Sequence, residues 1–396
     1  MNSYLVNQNL ECCSGCGACI QICPKQCISF IDVEDGFSAP KIDEEKCIHC
    51  NRCVGVCPYS NPVERYCIIK SFSAKAKSVD AQMLSSSGGC FYGLSRVVMD
   101  QGGVVFGAVI DDSYHCVHKM ATKCEELDPL LGSKYVQSRC DVVFSEIKNK
   151  LQNGKTLLFS GTPCQVAGLK NYLGKNYDNL LLVDVACHGV PSNNDFLKCI
   201  QWIENKHNGK LIYIKFRDKS NAGWTHSLTY KIEKNGTIKS YTVSPYKIPY
   251  YYFFLYSKNI RKSCYECPYI GTERVGDITL GDFWAAERVV PEKDIGKGIS
   301  IALCNTQKGL EWIKKSKKYL NLQLIDKELA VRNNQPFSGK PDRYLLREKM
   351  LKQVLGEGYK NTRYYLGLKE FIIEAIKALV PEKIKRMIIR LLGDKK

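Results

Sequence analysis

The chain has 396 residues, 21 of them cysteine, with 57 basic against 40 acidic side chains and a formal net charge of +17. Hydrophobic content of 44% and charged content of 24% exclude a disordered or fibrous chain, and the length suits two or three domains. The start, MNSYLVNQNLECC, has no basic stretch followed by an apolar one, and no run of 18 apolar residues occurs, so neither a signal peptide nor a spanning helix is expected. An odd, clustered set of cysteines in a chain read as cytoplasmic points to metal ligands rather than disulfides. Residues 1–70 hold six basic and eight acidic side chains, so the positive excess lies beyond them. Such a field suits a phosphorylated cofactor or an anionic membrane surface; no nucleic-acid-binding motif accompanies it, and no nucleic-acid partner is expected.

Taken in chain order, the first feature is Cys13-x2-Cys16-x2-Cys19-x3-Cys23-Pro24, repeated as Cys47-x2-Cys50-x2-Cys53-x3-Cys57-Pro58. Three thiolates on a tight loop can wrap one iron–sulfur cubane, while the fourth, starting a short helix, ligates the other cluster. The spacing therefore predicts one 4Fe–4S cluster on Cys13, Cys16, Cys19 and Cys57 and a second on Cys47, Cys50, Cys53 and Cys23. Zinc, which needs four ligands, usually as two separated pairs, suits eight such thiolates less well. Ser14, Gly15, Gly17 and Ala18 are small enough to let backbone N–H groups approach the cluster sulfurs. Cys12 and Cys27 flank the motifs and are expected to stay unligated. The stretch between the repeats reads as a hairpin turning at Asp35-Gly36. Residues 1–70 form the expected dicluster domain, and the small, polar stretch 71–89 reads as a linker.

From 72 to 340 the pattern becomes strands alternating with helices, which predicts an α/β domain with a mainly parallel sheet. Apolar runs at 103–111, 155–161, 179–187, 211–218, 277–283 and 299–305 supply buried strands, with helical spacing at 90–101, 140–152, 164–173 and 194–206. Asn235-Gly236 marks a hairpin in or beside that sheet. The run YYYFFLY at 250–256 reads as core. Cys164 and Cys187 fall just past two strands, where open α/β sheets place ligands, and Cys264-x2-Cys267 forms a loop before Pro268. Together they make a plausible third quartet; the alternative at each position is a small buried hydrophobe. Loops at 85–89, 132–138 and 161–165 fit either anion binding at helix starts or ordinary capping.

Seven of these loops occur together and in order: SSSGG (85–89), SKYVQS (133–138), GTPCQVAGL (161–169), DVACHGVPS (184–192), FRDK (216–219) with Gly223 and Trp224, CYEC (264–267) and GDITLGDFW (276–284). In them the chain resembles the coenzyme F420 hydrogenase/dehydrogenase beta-subunit family, here behind a dicluster ferredoxin domain and over about residues 1–335. The resemblance implies a third 4Fe–4S cluster on Cys164, Cys187, Cys264 and Cys267. It also implies an FAD held by Ser86, Ser87, Gly88, Gly89, Lys134, Tyr135, Gln137 and Ser138. The expected activity is that of a flavin-dependent oxidoreductase passing electrons between iron–sulfur clusters and a flavin, with a deazaflavin or another organic substrate. His188, beside a ligand, is the candidate proton relay, the alternative being a structural histidine. Rival expectations are an electron-transfer subunit whose chemistry occurs in a partner, or a redox-sensing iron–sulfur protein. A redox partner protein or small-molecule donor is expected in either case.

Residues 341–396 depart from the family pattern and read as a helical, basic amphipathic tail. A second helix after Pro381 sets Lys383, Lys385, Arg386 and Arg390 opposite Ile384, Met387, Ile388 and Leu391. That pattern fits peripheral attachment to an anionic membrane surface or packing on protein.

Overall fold

A computed structural model describes residues 4–140, 142–291, 295–360 and 362–365. The tail helices expected beyond 366 lie outside the described residues. The N-terminal unit carries the hairpin β1 (Ile28–Asp32) and β2 (Ser38–Ile42), paired antiparallel from Ile28↔Ile42 to Asp32↔Ser38. Its turn uses Gly36 at φ +78°, as the Asp-Gly pair predicts.

The larger unit is built on eight strands: β3 (Lys70–Ala76), β4 (Val104–Ile110), β5 (Cys116–Ala121), β6 (Leu157–Gly161), β7 (Leu180–Val185), and, after three strands of a second sheet, β11 (Ile278–Asp282), β12 (Ser300–Cys304) and β13 (Leu320–Ile325). Their order is β13-β3-β12-β11-β7-β6-β4-β5. The α/β class stands. The four central strands β11, β7, β6 and β4 pair in parallel, and antiparallel strands flank them on both sides. Apolar runs such as Leu180–Val185, buried on both faces, suit that parallel centre.

Two expectations change. The stretch 71–89 is no linker: β3 lies between β12 and β13, and a helix, Val79–Leu84, follows it. Its small residues are there for closeness, because the 85–89 loop lies directly on the strand. A Cβ on Gly88 would sit 2.1 Å from the Ala74 carbonyl oxygen. The run at 211–218 does not join the main sheet either. As β8 (Lys210–Phe216) it pairs antiparallel with β9 (Leu228–Lys234), which pairs with β10 (Thr237–Val243) across the Asn235-Gly236 turn. Local apolar content marks a strand, but partner choice is tertiary. The run 250–256 behaves as core: in the helix Pro249–Leu255, Tyr250 through Phe254 are buried.

Candidate functional site

The two cysteine loops share a backbone. Gly15 and Gly17 adopt φ of +67° and +79°, and the residues at the same places in the second repeat, His49 and Asn51, adopt +51° and +58°. In the first loop Cys13 and Cys16 are buried. Burial pushes the Cys19 thiol well above its ordinary range, and Cys16, Cys13 and Cys57 push it further. The first predicted quartet thus lies within electrostatic reach of Cys19, and Cys53 of the second adds to the same rise. In the second, burial raises the Cys53 thiol and nearby Cys23 and Cys47 add to it, while Cys50 stands exposed on the same loop. One neighbour lay outside the spacing argument: the Cys27 sulfur is 3.3 Å from that of Cys23.

The third quartet is assembled from three places. Strand β6 ends at Gly161, and Thr162 N–H donates to Gln165 Oε1 at 2.9 Å, closing the turn into the helix Pro163–Leu173. Pro163 in the first turn suits that start and leaves Cys164 on it. Cys187 follows β7, and Cys264 lies in the short helix Lys262–Tyr265, three residues before Cys267. Burial drives the Cys187 thiol well up, with Cys264, Cys164 and Cys267 contributing. For the same reason Cys264 is pushed to about 11 and Cys267 to about 12. Four soft sulfur donors that destabilise one another's thiolates suit a cation or cluster, whose charge reverses that penalty. The helix bearing Cys164 also reaches the ferredoxin loop, since a Cβ on Gly168 would be 2.9 Å from the Cys16 sulfur.

At the carboxyl ends of β6 and β7 lies a cavity of about 590 Å³, and Cys187 forms part of its wall. That size falls within the roughly 300–1,000 Å³ of small-molecule and cofactor sites. Of the eight residues implied for the flavin, Ser86, Ser87, Gly89, Lys134, Tyr135 and Ser138 line it. Gly89, at φ +86°, caps the start of the helix Cys90–Asp100. Gly88 and Gln137 are not among the lining residues. The Gly88 N–H donates to Ser300 Oγ, and Gln137 Nε2 reaches across to the Ser14 carbonyl in the first cysteine loop. Backbone N–H groups, apolar walls and a helix start give this cavity the makings of an organic-cofactor site.

Several charges in this wall are held tightly. Lys134 Nζ donates to the Leu131 carbonyl, and burial pulls its pKa down to about 7. His188 lines the cavity, shares a 2.8 Å hydrogen bond with Ser257 Oγ, and is pushed down to about 4 by burial, which keeps it neutral near pH 7. Sequence reasoning missed a group on the far wall. Arg217, at φ +57°, grips Asp282 with two bonds of 2.8 and 3.1 Å and lies over Trp284. Trp284 stacks with Trp224 and with His226. The motifs holding these residues were visible, but nothing local pairs an arginine with a carboxylate 65 residues away. Lys219 was equally hidden. It donates to the carbonyls of Gln82, Ser87 and Lys297, pinning the 85–89 loop.

These features define an iron–sulfur protein: a dicluster unit packed against an α/β unit with a further cysteine quartet at the rim of a cavity. Residues 12–61 match the 4Fe-4S dicluster domain, and residues 154–328 match the family described as the C terminus of the coenzyme F420 hydrogenase/dehydrogenase beta subunit. Over residues 154–328 the chain is thus similar to that family, and over 12–61 to the dicluster domain in front of it. An uncharacterized polyferredoxin-like protein of Methanocaldococcus jannaschii is 38% identical over 56 residues, which cover 12% of this chain; the chain spans 33% of that relative's length. A chain of the xenon-derivatised F420-reducing [NiFe] hydrogenase complex from Methanosarcina barkeri aligns at 16% identity and a TM-score of 0.43. The alignment covers 77% of this chain and 95% of that one.

Proposed function

We propose that the protein is a flavin-dependent iron–sulfur oxidoreductase with three 4Fe–4S clusters and one FAD, exchanging electrons between a redox partner and an organic substrate. One observation carries this reading: a single helix, Pro163–Leu173, bears Cys164 of the third quartet and touches Cys16 of the first, while Cys187 of that third quartet faces the cavity. The ferredoxin unit and the cavity thus meet through one set of thiols.

When bound, FAD supplies two-electron chemistry to substrate and one-electron exchange with clusters. The chain's own residues position and shield it. Lys219 holds the 85–89 loop by three carbonyls, and Arg217 and Asp282 neutralise each other beside Trp284. His188 is the candidate proton carrier of this reading: its Nε2 is bonded to Ser257 Oγ, so Nδ1 would be the atom that moves a proton. The exposed second cysteine loop is the natural meeting point for a redox partner. A deazaflavin is one substrate of the right class, and the basic tail is a candidate for binding anionic lipid.

Anaerobic purification followed by iron and flavin determination tests the main reading. About twelve irons and one FAD per chain support it; about eight irons without flavin overturn it. Stopped-flow reoxidation of the reduced flavin by candidate acceptors then separates an enzyme from an electron-transfer subunit, which needs an added protein. Removing residues 366–396 and measuring liposome flotation tests the tail: undiminished binding ends the membrane reading. Among the described residues, no helix is long and apolar enough to cross a membrane.

A further inference from the structure

Four arginines are buried among the described residues: Arg217, Arg261, Arg274 and Arg347. Three have a carboxylate partner. Arg217 pairs with Asp282 at 2.8 Å, Arg274 with Asp184 at 3.0 Å and Arg347 with Asp35 at 2.9 Å. Arg261 differs. Its Nε donates to the Cys13 carbonyl at 2.6 Å, its Nη1 to Gln137 Oε1 at 3.0 Å, and its Nη2 to the Ser38 carbonyl at 2.9 Å and the Cys13 sulfur at 3.4 Å. Among the described residues no carboxylate meets this guanidinium, which is 3% exposed. A charge buried that deeply is costly unless an anion stands beside it. The sulfur at the end of Nη2 belongs to the first quartet, and thiolates bound to a cluster would be that anion.

The same residue reaches the third quartet through its backbone. Arg261 N–H donates to the Val190 carbonyl, three residues beyond Cys187, and the Arg261 carbonyl accepts from Cys264 N–H at 2.9 Å. Resting on the three-cluster reading above, we propose that Arg261 is a shared counter-charge for the first and third clusters, raising both potentials relative to the exposed second cluster and biasing electrons inward. The step is a one-electron exchange: the reduced second cluster, charged by a one-electron redox partner, loses the electron that the first or third gains. No bond forms or breaks, and no proton moves. A positive charge and an N–H···S bond both favour the reduced, more negative cluster.

The test is an EPR-monitored redox titration of the full chain, purified anaerobically, with iron determined on the same samples. Arg261→Gln removes the charge and should move two of three potentials to more negative values, leaving that of the exposed cluster in place. Arg261→Lys keeps the charge while losing the fork, and should hold all three near wild type. Unchanged potentials in Arg261→Gln at full iron content would overturn the proposal, as would a shift in Arg261→Lys equal to that in Arg261→Gln. If Arg261→Gln does not retain clusters, Arg261→Lys decides: wild-type potentials support the proposal and a negative shift rejects it. About eight irons in the wild type, with a shift in one cluster alone, would retract the three-cluster reading but keep the role of Arg261 at Cys13.

Discussion

The two cysteine repeats have the same spacing and the same left-handed backbone, yet their surroundings differ. In the first, the left-handed positions are Gly15 and Gly17, and a Cβ on Gly15 would lie 2.5 Å from Gln137 Nε2 and 3.0 Å from Arg261 Nη1. In the second, the same positions carry His49 and Asn51, with Cys50 exposed. Left-handed geometry alone therefore does not require glycine here. Close packing against the larger unit does. Cys13 and Cys16 of the first loop are buried while Cys50 of the second is exposed, which fits the proposed internal transfer at one and contact with a donor at the other.

Substitutions can break this contrast. The largest effect is expected from Gly168→Val, which drives a side chain into Cys16. It should destabilise the fold by about 2–3 kcal/mol in denaturant unfolding and remove the first cluster's EPR signal. A full signal would show that the helix and loop are not tightly joined. Gly15→Ala should come next, at about 1–3 kcal/mol from crowding and a left-handed Cβ, whereas His49→Ala should stay within about 0.5 kcal/mol. Equal effects would erase the distinction between the loops.

The seat of the β1–β2 hairpin offers a pH test. The helix Asn193–His207 begins against it, with Asn194 bonded to Asp32 at 3.0 Å. Two residues into that helix, Asp195 is buried and its pKa is raised to about 6, chiefly by burial, against hydrogen bonds from Tyr359 and Asn259. A carboxyl raised above its unfolded value favours folding when protonated. Its contribution is complete below the unfolded pKa and is lost as pH rises through about 6. Between pH 5 and 6 wild type should lose about 1 kcal/mol relative to Asp195→Asn, read from unfolding midpoints. Parallel curves would count against the effect. The smallest change belongs to Arg65→Met. Its bond to the Pro268 carbonyl and ion pair with Glu273 are exposed, so less than about 0.5 kcal/mol is expected.

Much of the site could be read from spacing. Eight cysteines in two loops, the positions of Cys164 and Cys187 past strands, and the small residues of 85–89 were each local patterns. Less accessible were the residues that join them. Gln137 falls in a loop implied to touch a flavin, and the fold turns it instead toward Ser14 and Arg261. Cys27 lies beside Cys23 although the spacing set it aside. The strand at 70–76, poor in large apolar residues, looked like a linker because closeness to the 85–89 loop demanded small side chains.

By itself the sequence determined the ligand chemistry of the N-terminal unit, because a cluster loop needs its sulfurs a few residues apart on one turn of chain. It also determined the α/β class, since alternating apolar runs and helical periods leave few other ways to bury a core. Only the tertiary structure decided which cysteines from distant strands come near one another, which repeat is enclosed, and where, among the described residues, a buried guanidinium has no carboxylate partner. Those are properties of packing between elements hundreds of residues apart, such as Cys13 and Arg261, and no local pattern encodes them.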